Sequence, residues 1–591
     1  MILSEAAYTQ NMTFYAHTAE DKYGNPLPKA HWQLLKDHLG QVAGLAKRCA
    51  SSMGLQAEAT LAGLLHDLGK YSERFQARLD DNSIRGINHW AAGAQKAFEL
   101  KAPLVAYAID GHHTGLPEAG DLLQSMTKMA DAVLAREHTK CAEPVAQLMT
   151  RLAADGIKLP SAPSVTRKDH FASALHTRFL FSCLVDADFL DTEKHFDPDV
   201  TVGRIVPPLQ VERALELLQT ALAAKQADGP VNQLRREVLA DCIAVAKKPV
   251  GLFTLTAPTG SGKTLSSLAF ALQHIIHHNA MIPADDARRF RRVIFVIPYT
   301  SIIEQTSQVF RELFETEFGP DYVLEHHSAV SPRDTDSDAE EERLRRARLA
   351  AENWASPLIV TTSVQFFESL FGHKPRDCRK LHNITRSVVL FDEVQTLPAH
   401  LLPSLLSAVR LLTQEPYGMT AVFMTATQPA FASAGAALPY GWRPVEISSN
   451  PGAMSESLRR TRIELPQRDD RRSWQEVASK LNGQPQALCV VNTTAHAREI
   501  FRLLSEDNPF HLSARLCPAH RQEKLKLIRE LLVAEQPCRL VSTQLIEAGS
   551  RRRFSHRISR PRAARFHHSN RRALQSRGPP CRAVSSDRIP P

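Results

Sequence analysis

The sequence predicts a multidomain chain, all-α in its first third and α/β afterwards, with parallel sheets in the α/β part. Three observations predict this. Apolar residues recur every three or four positions in "WQLLKDHLGQVAGLAKRCA" and "EATLAGLLHDLGKYSERFQARL", as in helices that bury one face. From Gly251, short apolar runs ("GLFTLTAPTG", "RVIFVIPYT", "PLIVTTS", "SVVLFDEVQ", "TAVFMTAT") alternate with helical stretches, the pattern of parallel strands joined by crossover helices. A second, shorter series runs from "QALCVVNTTAHA" to "RLVSTQLIEAG" and then stops.

These patterns divide the chain into a histidine-rich helical region over 1–205, a linker and helix over 206–245, a first α/β lobe over 246–450, a partial second lobe over 451–549, and a basic tail over 550–591. The 591 residues suffice for several cores, and 43% hydrophobic with 23% charged residues is an ordinary soluble composition. No apolar run is long enough to span a bilayer, and the N-terminus has no basic-then-apolar leader pattern. Nine scattered cysteines form no CxxC pair. The expectation is a cytoplasmic monomer with no membrane partner. The net charge of +9 is misleading: the twelve Arg and one Asp of 550–591 carry +11, which leaves the body at −2. Charge alone therefore does not point to nucleic acid. The charged stretch "SPRDTDSDAEEERLRRARLAAENW" reads as a solvated helix.

"APTGSGKT" follows an apolar strand and opens a helix. Its Thr259, Gly260, Ser261 and Gly262 would wrap backbone amides around the phosphates of ATP. Lys263 would reach the β- and γ-phosphates, and the Thr264 hydroxyl would hold Mg2+. "VVLFDEVQ" sets Asp392 and Glu393 at the end of another apolar strand, Asp392 for magnesium through water and Glu393 for the attacking water. An isolated Asp-Glu pair is usually plain surface, but this one follows a phosphate loop. "FMTAT", with Thr425, Ala426 and Thr427, comes next.

The helical region contains "DHLGQVA", "HDLGK", "INHWAAGA", "IDGHHTGL" and "CLVDADFLD". One histidine is more often core than ligand, but so many His and Asp together are hard to explain by packing. Mixed imidazole and carboxylate donors suit first-row transition metals, and the adjacent His66 and Asp67 could each reach a different ion. A close pair of divalent metals would activate water and support in-line displacement at a phosphodiester. Lys70, one turn beyond, could bind a phosphate oxygen.

The order of phosphate loop, DEVQ, TAT and second strand series resembles superfamily two helicases. That resemblance implies two RecA-like lobes with ATP between them and single-stranded nucleic acid crossing both. "IPYTSIIEQT" and "VTTSVQFFES" resemble the family's strand-contacting segments, although ordinary strand ends with helix caps read the same way. Asn232, Gln233 and Arg235 stand where an adenine-reading segment would precede the first lobe.

The histidine set resembles the HD phosphohydrolase superfamily. It implies metal ligands at His38, His66, Asp67, His89, His112, His113 and Asp188. Asp186 competes for the last place: family matching favours the second Asp of "DAD", and spacing alone does not choose. An HD domain ahead of a DEVQ-type helicase resembles the CRISPR-associated helicase–nucleases of type I systems over residues 12–549, with "HTGLP", "EHHSAVSP", "DEVQTLPAHLLPSLL" and "LSARLCPAHR" in support. The resemblance implies recruitment by a Cascade-type RNA-guided complex, nicking of the displaced strand, and ATP-driven 3′ to 5′ degradation of single-stranded DNA. Two other readings stand beside it: an HD phosphodiesterase for small phosphodiesters with a regulatory ATPase, and an inactive DNA-binding remnant.

The family pattern continues "STQLIEAG" with a strand such as "VDVDF" and later a Q-x-x-G-R-x-x-R segment, whose arginines reach the γ-phosphate. Neither stands in the written frame. Read one base later, a permitted codon choice for "SRRRFSHRISR" gives "VDVDFPTVYR", and the same shift downstream permits Q-x-x-G-R-x-x-R. The expectation is a frameshift after Gly549. The tail would then be out of frame, the second lobe would have an exposed sheet edge, and the helicase would be impaired. A true DNA-binding basic tail is the competing reading.

Overall fold

The structure is a computed structural model. It describes residues 12–543 apart from 82, 119–142, 162–168, 205, 225–227, 299, 328–337, 427–440, 458–461, 464–471, 506 and 514, together with the backbones of 556–559 and 582–585. The chain forms two compact units, 1–454 and 455–591. The helical region and the first α/β lobe, separated on sequence grounds, share the first unit.

The helical part is built on Leu35–Ala50, Gln56–Leu65, Ala91–Glu99, Pro103–Gly111 and the long helix His170–Phe196. The long helix is about 40 Å from end to end. It starts at Asp169, whose side chain accepts from the Phe171 amide, and then runs through "FLFSCLV" with almost every side chain buried. A helix apolar all round sits in the middle of a bundle. The region is not wholly helical, because β1 (Tyr15–His17) pairs antiparallel with β2 (Gln33–Leu34) beside it.

The expected linker is largely structured. Within 206–245 stand the helix Val211–Ala224, which was not foreseen, and Pro230–Val245, which matches the expected helix; both pack on Lys263–Asn279. The charged stretch forms the helix Asp338–Asn353, as read, but its C-terminal end is buried at Ala350, Asn353 and Trp354.

The first lobe is a seven-stranded parallel sheet. Its strands are β3 (Leu252–Thr256), β4 (Arg292–Ile297), β5 (Val323–His326), β6 (Leu358–Thr362), β7 (Ser387–Phe391), β8 (Thr420–Thr425) and β9 (Val445–Glu446). Their order across the sheet is β5-β6-β4-β7-β8-β3-β9. β7 is buried at every position, which a continuous apolar run in a sheet covered on both faces requires. One apolar core joins this lobe to the helical part. It includes Phe179, Leu180 and Leu184 from the long helix and Leu381, Ile384, Val389 and Tyr417 from the lobe. Phe179 and Tyr417 meet at 4.8 Å between ring centroids. Burial of each such side chain stabilises by about 1.5–3 kcal/mol, so helical part and first lobe fold as one body.

The second unit holds β10 (Arg462–Ile463), β11 (Gln486–Val490), β12 (Pro509–Leu512), β13 (Cys538–Ser542), β14 (His556–Ser559) and β15 (Arg582–Ser585), in the order β10-β15-β14-β11-β13-β12. The expected open edge at β11 is not observed: β14 lies parallel to it from Ala487 to Val490 and β15 covers β14. A ladder is made by backbone groups, so a short stretch of unrelated side chains can complete it. The remainder of the tail lies outside the described residues. Among the described residues no helix is long and apolar enough to cross a membrane.

Candidate functional site

Seven side chains named from the sequence converge inside the helical part. His38 comes from Leu35–Ala50. His66 and Asp67 follow the end of Gln56–Leu65, and His89 stands just ahead of Ala91–Glu99. His112 and His113 follow Pro103–Gly111, and Asp188 lies on the long helix. Local packing fixes the "HDLGK" turn. The Gly69 amide donates to the His89 carbonyl at 2.8 Å, and a Cβ on Gly69 would stand 2.5 Å from that oxygen. Only glycine permits this approach, which places His89 beside Asp67.

The cluster has two groups. Donor atoms of Asp67, His89, His112 and His113 lie within 4.8 Å of one another, as do those of His38, His66 and Asp188. Asp67 bridges the groups: one oxygen is 3.5 Å from His89 Nε2 and 3.6 Å from His112 Nε2, and the other is 3.3 Å from both His38 Nε2 and His66 Nε2. Asp188 lies 3.7 Å from both His38 and His66. Asp186 points the other way, to Arg379.

Hydrogen bonds on the outer nitrogens orient three of the rings. His66 Nδ1 donates to Gly63 O at 2.8 Å, His112 Nδ1 to Ile109 O at 2.7 Å, and His38 Nδ1 to Asp191 at 2.7 Å. In neutral rings this leaves each Nε2 as an inward lone pair facing carboxylate oxygens, the arrangement that metal-ligating histidines adopt. His38 and His66 Nε2 face each other at 3.2 Å. Asp67 Oδ1 and His112 Nε2 are buried with no hydrogen-bond partner among the described residues. Such a donor set needs positive charge between its members. Burial alone would lower the His66 imidazole, but the Asp67 and Asp188 carboxylates raise it to about 10. Burial would raise Asp67, yet Lys70 and His66 beside it hold it well below the usual carboxylate range. These residues fit a pair of divalent cations.

Lys70 does not stand free for phosphate. Its ammonium meets Asp67 at 2.7 Å and is buried. Two neighbours escaped sequence reasoning. Asp191 accepts from His38 and from Gln33 Nε2 at 2.8 Å; its signal was its position one turn after Asp188 on the same helix. His17, on β1, packs edge-on against His38 with 5.0 Å between centroids and lies 3.4 Å from Lys70 Nζ. No local motif marked it.

The phosphate loop lies between β3 and Lys263–Asn279. Gly260 and Gly262 both take left-handed backbone, with φ of +90° and +83°, where a β-carbon would be strained. Ser261 Oγ is buried without a hydrogen-bond partner among the described residues. Lys263 Nζ donates to Ala257 O at 2.8 Å, and burial lowers its pKa. Asp392 is half-buried just past the end of β7, and burial together with Glu393 raises it to about 6. Glu393 has a left-handed φ of +49°. Gln395 links the motifs, donating to Glu393 and accepting from the Thr425 hydroxyl at 3.0 Å. Thr427 lies outside the described residues, and the Thr264 carbonyl accepts from Ser267 Oγ at 3.1 Å. Arg235 Nε donates to Gly260 O at 3.1 Å, and its Nη1 donates to Asn232. Gln233 instead faces Glu237.

Residues 35–152 match the HD domain family, and residues 237–434 match the DEAD/DEAH box helicase family. The two matches follow one another along the chain, the HD match first. The chain's likeness is to Cas3. It is 26% identical over 431 residues to the CRISPR-associated nuclease/helicase Cas3 of Haloferax volcanii, covering 62% of this chain and 45% of that protein. It is 24% identical over 313 residues to the Cas3 of Methanothermobacter thermautotrophicus, covering 50% and 34%. The chain thus spans less than half the length of these curated relatives. The T. fusca Cas3–ATP crystal structure shares the fold at 18% identity, with a TM-score of 0.57 over 92% of this chain and 70% of that one.

Proposed function

We propose that this chain is a CRISPR type I interference enzyme, a metal-dependent nuclease for single-stranded DNA joined to an ATP-driven translocase and recruited by a Cascade-type complex. The observation that carries this reading is the convergence of seven His and Asp side chains into two groups sharing Asp67, on the same body as the phosphate loop. His38, His66 and Asp188 would hold one divalent transition metal and His89, His112 and His113 the other, and Asp67 would belong to both donor sets. The metals would supply a water nucleophile at neutral pH and charge for the transition state. The protein's own part is to orient the rings through Gly63, Ile109 and Asp191 and to hold Asp67 ionised through Lys70. Lys263 would hold the ATP phosphates, Asp392 the Mg2+ ion, and Glu393 the attacking water. The chain would act as a cytoplasmic monomer.

Metal-loaded protein assayed on circular single-stranded DNA and on small phosphodiesters tests the substrate class. Cleavage of DNA alone is expected, and turnover confined to small phosphodiesters would contradict the reading. Helicase activity should be weak, because the arginine segment implied by the resemblance is missing from the written frame. Sequencing the encoding DNA across codons 545–591 tests the frameshift: a single-base change that restores both motifs is expected, and a sound frame without them would leave the basic tail genuine.

A further inference from the structure

The two aspartates of "DAD" are two residues apart on the long helix, which turns them about 200° from each other. Asp188 faces the metal cluster. Asp186 is buried, and its hydrogen-bond and ion-pair partners come from the ATP-binding lobe. It accepts from Arg379 Nε at 2.9 Å and from Asn353 Nδ2 at 3.3 Å, and His382 Nε2 stands 3.7 Å away. One turn earlier, Ser182 Oγ bonds His382 Nδ1 at 3.0 Å and donates to Arg379 O at 3.1 Å. Arg379 also lies over the Phe189 ring, 4.6 Å from its centroid, and bonds Glu352 at 2.9 Å. A single buried arginine of the lobe therefore touches the residues on both sides of Asp188.

Donor atoms of Cys49, Asp186 and His382 also lie within 4.8 Å of one another. Arg379 already supplies the positive charge facing Asp186, so this cluster is complete without a cation.

We propose that Arg379 and Asp186 form an interdomain latch that fixes the long helix in position and thereby holds Asp188 against His38 and His66. Arg379 is a positioning residue: metal affinity in the nuclease centre depends on a side chain of the ATP-binding lobe. The segment that carries it continues through Leu381–Ile384 into β7, which ends at Phe391, the residue before Asp392. The latch thus joins the strand bearing the magnesium carboxylate to the helix bearing a nuclease ligand.

The inference rests on the two-metal reading, and one experiment separates them. Metal-free full-length protein is titrated with Mn2+ by calorimetry. Wild type is expected to bind two ions. Arg379→Ala is expected to weaken one step, that of His38, His66 and Asp188, by about ten- to a hundredfold, and to leave the other unchanged. A general structural role would weaken both. If Arg379→Ala does not fold, the neutral pair Asp186→Asn with Arg379→Gln replaces it, with the same one-step loss expected. Two unchanged steps in a folded variant overturn the latch, as does loss of folding in both variants, which would make the pair purely structural. Fewer than two ions on wild type would overturn the metal reading, and the latch with it.

Discussion

The His/Asp cluster and the phosphate loop sit on one body but are built in opposite ways. The loop is local: eight consecutive residues, two left-handed glycines and a helix start present backbone amides. The cluster is convergent: side chains from five helical segments meet around Asp67, and none would bind alone. A local site tolerates change in its surroundings, whereas a convergent one depends on every element that aims a ring. The same body should therefore allow one activity to be lost while the other persists.

The largest expected effect is from Asp67→Ala. Asp67 touches both groups, so its loss should lower single-stranded DNA cleavage by about a thousandfold or more, several kcal/mol of transition-state stabilisation. Initial rates without ATP measure this, and ATP binding by the same variant should be unchanged. Next is Lys263→Ala, which should reduce ATP hydrolysis by roughly a hundredfold or more while ATP-independent cleavage stays at the wild-type rate. A parallel loss of both activities would mean that the two centres are not separable. A smaller effect is expected from Asp191→Asn, which keeps the shape but removes the charge behind His38. It should weaken metal binding by about ten- to a hundredfold, read by calorimetry.

A separate effect is on stability against pH. Burial pushes His274 down to about 3 and His382 down to about 4, so both are neutral in the folded chain, while in the unfolded chain they protonate near 6.5. Stability from each is fully present above 6.5 and is lost as pH falls toward the folded value. The cost is about 1.4 kcal/mol per histidine for each pH unit in that window. His274 faces His278, the Ala246 carbonyl and Thr420; His382 faces Ser182, Asp186, Arg379 and Arg292. Denaturant midpoints between pH 7 and 4 should fall, less so in His274→Gln.

Both sites could be read from the sequence to different depths. "APTGSGKT" and "VVLFDEVQ" are each contiguous, so their geometry follows from local backbone rules, and the strand order β5-β6-β4-β7-β8-β3-β9 sets their strands, β3 and β7, on either side of β8, which ends at Thr425. The seven residues of the His/Asp cluster showed only as an excess of His and Asp, and the family resemblance selected among them. Asp186 and Asp188 could not be told apart by spacing, because the helix turns them to different neighbours and only the tertiary fold says which neighbour is which. Asp191, His17 and Arg379 were not named as site residues: each acts through another side chain that packing brings near. The joining of the helical part to the first lobe was also not legible, since Phe179 and Tyr417 meet across 238 residues of sequence.

The measurement that tests the account most directly is cleavage of circular single-stranded DNA by the 591-residue chain loaded with a divalent transition metal, with and without ATP. The account predicts metal-dependent cleavage without ATP, abolished by chelation and by Asp67→Ala but retained in Lys263→Ala. Cleavage that survives Asp67→Ala, or its absence with every divalent metal tried on folded protein, would contradict it.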